Sequence, residues 1–355
     1  MKSRFSVFCA AISLLGMLAG TALCFYFAWQ AGITESVQLL VAFVLSLIIA
    51  PTVHELGHIA LAKKGNMELV YTKFFCFQIK IKEGKKRLGL TSPFRADETQ
   101  VIPKTGGNMQ RRAAKYTLGG LLFSGILLAL LCAAAITLTC LGNTNFLLWG
   151  FVPYTAYLFV LNVLPLEYPS GKTDMLVYRG LKKGYDAEKN MLAAMEIQGQ
   201  LYEGKSFSEV DERLYFNQPQ LPEDEPLFAV MLDLKYRYYL EKQDLDKAAD
   251  CLNRLAAAQA YLPQEKVEEL AAELVYMHAL RGDLQRAEDC GTYCKGYLQS
   301  NTASAKRILA AFSAAFGKTE SVVPLIAQAK TCLQTERVKG VGKFERILLS
   351  RLPQA

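Results

Sequence analysis

Apolar residues are concentrated in the first half of the chain, in four long runs without a charged side chain. These runs cover residues 5–29, 37–53, 116–141 and 146–166. A helix needs about 20 apolar residues to cross a bilayer core, and only helices and closed barrels satisfy their backbone hydrogen bonds there. The pattern predicts four transmembrane helices, in which the second continues beyond its charge-free run and covers residues 37–62.

A polar insert between the second and third runs changes period. Residues 77–82 read FQIKIK, in which apolar and polar side chains alternate, and Glu83-Gly84-Lys85 follows. Alternation with a period of two indicates a strand, and the glycine-containing segment indicates a turn. We expect a short membrane-associated β-hairpin at this position.

The chain from residue 184 onward has no spanning run and shows helical periodicity. Residues 242–251, KQDLDKAADC, are echoed by residues 281–290, RGDLQRAEDC, and more weakly from Phe316. Echoes at about 34 to 40 residues indicate stacked helical hairpins, and these resemble tetratricopeptide repeats. The predicted fold class is thus an all-α membrane protein, with a membrane domain over 1–183 and a soluble α-helical repeat domain over 184–355. A protein partner on the repeats and simple packing of a helical domain remain equal alternatives.

Basic side chains fall on one side of the predicted membrane. They precede the first run, dominate residues 63–112 and follow the fourth run, whereas the other two loops contain no Lys or Arg. The positive-inside rule therefore places both termini in the cytoplasm. The net charge of +7 reflects this belt, which suits the headgroups of a lipid bilayer and does not indicate nucleic acid. Most of the dispersed cysteines would then lie in a reducing compartment, so we expect no disulfides.

The second run ends in His-Glu-Leu-Gly-His at residues 54–58, and the chain has only 3 histidines. On a helix His54 and His58 share one face, and Glu55 lies beside them. Two His ligands with a neighbouring Glu as general base are typical of zinc hydrolases. Because ionisable residues within spans are costly and usually functional, we predict a Zn²⁺ site with Glu55 as the base.

The fourth run ends in LNVLPLEYPSGKTDM. A membrane HELGH followed two spans later by Asn-x-x-Pro and then Asp resembles the site-2 protease family of intramembrane zinc metalloproteases. Asn162 and Pro165 match the Asn-x-x-Pro part, and Asp174 stands where the metal-binding Asp of that family lies. The Thr-Asp pair resembles the corresponding residues of a bacterial branch of this family, in which the Asp follows a short Gly-containing insert. The resemblance covers roughly residues 34–180.

The resemblance implies that His54, His58 and Asp174 bind Zn²⁺, and that Asn162 orients the substrate or stabilises the oxyanion. The substrate would be a membrane-spanning protein or peptide, cut near the cytoplasmic face of a bacterial cell membrane. The family usually has Gly directly after the Asp, where this chain has Met175. Glu167, nearer the span, is the alternative third ligand.

Two other functions stay open. The first is a catalytically inactive membrane scaffold that binds a protein partner through its repeat tail, which the departure at Met175 favours. The second is a membrane metalloprotease of another HExxH class, with a Glu from a later helix as the third ligand. The intact HELGH argues against the scaffold, and its continuity with an apolar run argues against the second class.

Overall fold

The computed structural model describes residues 2–82, 85–92, 98–104, 106–168, 171–262 and 264–353. The chain divides into two compact units, formed by residues 1–102 with 106–185 and by residues 103–105 with 186–355. The first unit holds the long apolar runs, and the second holds the echoed segments.

The described part of the first unit is built mainly from helices: α1 (Lys2–Ala31), α2 (Ile33–Lys64), α3 (Met109–Cys140), α4 (Phe146–Val163) and α5 (Asp174–Lys183). Helices α1 to α4 are each long and apolar enough to cross a membrane. Four helices of this kind were predicted, at nearly these positions.

Helix α3 begins earlier than its apolar run predicted, at Met109 rather than residue 116. The side chain of Asn108 caps it by accepting a hydrogen bond from the Arg111 backbone N–H. Arg112 is buried, and its guanidinium donates to the carbonyls of Gly65 and Asn66, each at 2.6 Å. Polar residues thus start α3 because they satisfy carbonyls at the end of α2, which hydropathy alone does not reveal.

Helix α2 packs against both α3 and α4, and small residues permit the close approach. A Cβ atom added to Gly57 would lie 2.7 Å from the carbonyl carbon of Gly119. A Cβ atom added to Gly150 of α4 would likewise lie 2.7 Å from the Cβ of Ala42. These crossings bring the HELGH segment into direct contact with α3.

The insert between α2 and α3 forms a sheet from β1 (Met67–Phe74), β2 (Phe77–Lys82), β3 (Lys85–Leu90) and β4 (Glu98–Pro103). The strand order is β3-β2-β1-β4, and β2 pairs antiparallel with β3, with Ile79 opposite Leu88. The predicted hairpin is present, although residues 83–84 of its turn lie outside the described residues. The sheet has four strands rather than the two of the predicted hairpin. Strands β1 and β4 were not predicted because their sequences lack the clear alternation of β2. Two short strands after α4, β5 (Glu167–Tyr168) and β6 (Gly171–Lys172), pair with each other.

The described part of the second unit is built from α-helices: α6 (Asp186–Glu203), α7 (Arg213–Phe216), α8 (Pro226–Glu241), α9 (Leu245–Ala257), α10 (Gln264–Arg281), α11 (Leu284–Tyr293), α12 (Lys295–Gln299), α13 (Ala303–Ala315), α14 (Val322–Cys332) and α15 (Lys339–Ser350). Its core includes the fully buried side chains of Ile197, Tyr236, Ile308 and Phe344. Consecutive helices pack as pairs, including α8 with α9 and α10 with α11.

The sequence echo corresponds to a repeated turn. Gln243 and Gly282 have left-handed φ values of 63° and 74° between the helices of their pairs. Asp244 and Asp283 follow as helix N-caps, and each side chain accepts a hydrogen bond from the backbone N–H three residues later. The same residue types therefore build the same helix–turn–helix geometry twice.

Candidate metal centre

Three side chains of the first unit converge on one point. His54 and His58 come from α2, and Asp174 is the first residue of α5. The Nε2 atoms of His54 and His58 are 3.2 Å apart. The Oδ2 atom of Asp174 lies 3.1 Å from His54 Nε2 and 3.2 Å from His58 Nε2. Tetrahedral ligands with bonds of about 2.0 Å are separated by about 3.3 Å. The spacing of the three atoms therefore fits a small tetrahedral ion such as Zn²⁺.

Both rings form a hydrogen bond through Nδ1, which leaves both Nε2 atoms facing this point. His58 Nδ1 lies 2.9 Å from the Tyr116 carbonyl oxygen. A carbonyl only accepts, so Nδ1 carries the proton, and Nε2 of the neutral ring presents a lone pair. His54 Nδ1 lies 3.0 Å from the Ser124 hydroxyl. Partners of this kind fix the orientation of metal-binding histidines.

Asp174 supplies the negative charge of the cluster. Although its Oδ2 atom is close to both rings, this buried atom has no hydrogen-bond partner among the described residues. When both Nε2 atoms are unprotonated, three electron-rich atoms converge here, and a cation between them would relieve their repulsion.

Gly120 of α3 leaves room for an ion. A Cβ atom at this position would lie 2.5 Å from Nε2 of both His54 and His58. Tyr116, Gly120 and Ser124 are four residues apart and share one face of α3. This face therefore provides a partner for each imidazole and the space between them. Tyr116 and Ser124 were not predicted from the sequence, because their contacts join helices that are distant along the chain.

Asp174 is positioned by its neighbour Thr173, the N-cap of α5. The buried Thr173 hydroxyl donates to the Leu164 carbonyl at 2.7 Å and accepts from the Leu166 backbone N–H at 3.1 Å. These bonds fold the segment after α4 back on itself. Met175 lies within α5 and has ordinary helical geometry. A right-handed helical position needs no glycine, so a Met is accommodated there without backbone strain.

Glu55 is buried and directly follows His54 in α2. Its Oε2 atom accepts a hydrogen bond from the hydroxyl of Thr99 in β4. The Tyr116 hydroxyl in turn donates to the Thr99 carbonyl, so α3 and β4 are joined beside Glu55. Nothing in the sequence around Thr99 indicated this contact, because it depends on how the sheet lies against α2 and α3.

The two other sequence candidates make different contacts. The side-chain amide of Asn162 donates to the Leu158 carbonyl of its own helix, α4, at 3.1 Å. Glu167 lies in β5, where its backbone N–H donates to the Ser6 hydroxyl at 3.3 Å. Among the described residues, the acid grouped with the two histidines in metal-binding geometry is Asp174. A substrate role for Asn162 stays a prediction.

Comparison of the chain with protein-family models, with curated proteins and with solved structures finds no match. The structure itself contains four helices that are long and apolar enough to span a membrane. One of those helices carries two of the three side chains of the candidate metal centre.

Proposed function

We propose that this protein is an intramembrane zinc endopeptidase of the site-2 protease type. The observation that carries the proposal is the convergence of His54 Nε2, His58 Nε2 and Asp174 Oδ2 within 3.2 Å of one another. The acid Glu55 lies directly beside this cluster, on a helix that suits a membrane. Two histidines, a carboxylate and a neighbouring general base are the parts that zinc peptidases require.

Zinc, when bound, supplies Lewis acidity toward the peptide carbonyl and activates water at neutral pH. His54, His58 and Asp174 hold the ion in place. Glu55 accepts a proton from the attacking water and delivers it to the leaving amine nitrogen. Asn162 orients the substrate or stabilises the developing oxyanion, a role carried over from the family resemblance.

The substrate class is a membrane-spanning protein or peptide, cut near the cytoplasmic face of a bacterial cell membrane. His54 lies about 25 Å along its span, at roughly 1.5 Å per residue, and hence near its cytoplasmic end. A helical peptide bond is shielded, so the substrate must unwind. Addition of the unwound segment to an edge of the β1–β4 sheet would present it in extended form.

The second unit has a separate proposed role. Its repeated helix–turn–helix geometry supports a tetratricopeptide-like repeat surface that binds a protein partner or the cytosolic segment of a substrate. In the proposed topology both termini are cytoplasmic, so this unit and the candidate metal centre face the same compartment.

The two alternative functions have less support. Met175 favoured an inactive scaffold, but its helical conformation removes the geometric reason for requiring Gly after Asp174. A metalloprotease class with a later Glu as the third ligand has less support, because among the described residues Asp174 is the acid that is grouped with the two histidines.

Quantitative proteomics of membrane fractions tests the proposal. Cells that express wild-type protein are compared with cells that express Glu55→Gln, which keeps the side-chain size and the three ligands. Membrane proteins that accumulate intact in the variant, and whose cytosolic fragments appear only with wild type, are the expected substrates. Identical proteomes, with both proteins expressed and loaded with zinc, would contradict the proposal.

A further inference from the structure

A chain of three side chains joins the sheet to Glu55. The hydroxyls of Thr72 in β1 and Thr99 in β4 are 2.9 Å apart. The Thr99 hydroxyl also contacts Glu55 Oε2. Thr72 is fully buried and Glu55 is 5% exposed, whereas Thr99 between them is half-buried.

The chemistry of the groups fixes the direction of these bonds. An ionised carboxylate only accepts, so the single proton of the Thr99 hydroxyl is donated to Glu55. The oxygen of Thr99 then accepts the proton of the Thr72 hydroxyl. The Tyr116 hydroxyl holds the Thr99 backbone through its carbonyl. Thr99 is thus fixed from two sides while it donates to Glu55.

We infer that Thr99 is the positioning residue for Glu55, and that Thr72 orients Thr99 for this task. The inference rests on the proposed role of Glu55 as the general base. Holding Oε2 leaves Oε1 as the oxygen that takes the proton from water. A glutamate side chain has several rotatable bonds, and a base is effective only within hydrogen-bond reach of its proton.

This assignment gives the sheet a second task. The strand that carries Thr99 lies at one edge of the sheet. A segment that adds to this edge would contact the strand that holds the base. Binding of substrate and alignment of Glu55 would therefore share one structural element.

Single substitutions in the full-length protein test the inference. Thr99→Val keeps the shape and removes the hydroxyl, whereas Thr99→Ser keeps the hydroxyl and removes the methyl group. Thr72→Val removes the donor to Thr99. Thr117→Val is the matched control, because the buried Thr117 hydroxyl donates to Ala113 in its own helix, at 3.0 Å, and has no other hydrogen-bond partner among the described residues.

Cleavage of a membrane peptide gives the first readout. We expect Thr99→Val to lower kcat by about 10-fold to 100-fold, the range for loss of a residue that orients a site. KM and zinc content should stay near wild type, because the Thr99 hydroxyl is bonded to Thr72 and Glu55, whereas an added strand would bond to the backbone of β4. Thr99→Ser should recover most of the rate, Thr72→Val should lose less, and Thr117→Val should match wild type.

An unchanged kcat for zinc-loaded Thr99→Val would overturn the inference. Equal losses in Thr99→Val and Thr99→Ser would overturn it too, since the methyl group and not the hydroxyl would then matter. If Thr99→Val fails to fold, Thr99→Ser and Thr72→Val still decide, because the inference requires the first to be active and the second to be impaired.

Infrared difference spectroscopy gives a second readout that does not require cleavage. The carboxylate stretch of Glu55 is the band that disappears in Glu55→Gln. We expect Thr99→Val to shift this band, and Thr99→Ser and Thr117→Val to leave it in place. A band unmoved by Thr99→Val would refute the hydrogen bond. A shifted band in a protein that cleaves nothing would leave the contact standing and refute the proposed function instead.

Discussion

Each unit of the molecule buries a charged cluster, and the two clusters differ in whether they contain a cation. In the second unit Arg307 is fully buried, and its guanidinium donates to Glu273 at 2.7 Å and to Glu345 at 2.8 Å. The guanidinium also lies 4.1 Å from the ring centre of Tyr276. In the first unit, by contrast, Asp174 contacts His54 and His58 and pairs with no Lys or Arg among the described residues.

This difference distinguishes a buried cluster that stabilises the fold from one that could bind a ligand. Buried charges are retained at low cost only when an opposite charge and hydrogen bonds accompany them. The Arg307 cluster meets this condition mainly within the chain, although one guanidinium nitrogen, Nη1, lacks a hydrogen-bond partner. The cluster around Asp174 has no such partner from Lys or Arg among the described residues, and a bound cation would supply it. An incomplete buried cluster therefore points to a ligand, whereas a completed one points to packing.

The largest effect is expected from a substitution that breaks the Arg307 cluster. Arg307→Met keeps the bulk but leaves Glu273 and Glu345 buried without their cation, so the free energy of unfolding of the second unit should fall by about 3–5 kcal/mol. Urea denaturation measures this change. Arg213→Met is the control, because Arg213 and Asp211 form an exposed pair at 3.7 Å. It should change stability by less than about 0.5 kcal/mol. A similarly small effect of Arg307→Met would undo the comparison.

The next effect concerns the incomplete cluster. Asp174→Ala removes a candidate ligand, so zinc affinity should fall by more than about 100-fold, beyond the loss typical of a residue that only orients a ligand. Glu167→Ala should keep near wild-type affinity. Zinc titration of both purified variants measures the ranking. The reverse ranking would move the third ligand to Glu167.

The smallest effect probes the space between the histidines. Gly120→Ala places a methyl group 2.5 Å from both Nε2 atoms. Overpacking of about 1–3 kcal/mol should then appear as weaker zinc binding with little change in helix content. Gly20→Ala in α1 is the matched control, since a Cβ there has no neighbour within 4 Å. Equal zinc affinity in the two variants would show that the ion does not use this space.

Local patterns in the sequence predicted much of the fold and part of the site. The four apolar helices follow from composition, and the helical hairpins follow from the echo around Asp244 and Asp283. The pairing of His54 with His58 follows from helical spacing alone. Thr99 and Ser124 could not be identified in this way. Their roles depend on contacts between elements distant in the sequence, and no local period encodes those contacts.

Zinc content and peptide hydrolysis, measured on the same purified samples of wild type and Glu55→Gln, test the central claim most directly. We expect about one zinc per chain in both proteins, because the three candidate ligands are unchanged. Hydrolysis of a membrane peptide should fall at least about 100-fold in the variant, the scale for loss of a general base. Equal rates in wild type and variant, or wild-type protein that binds no zinc, would contradict the proposed mechanism.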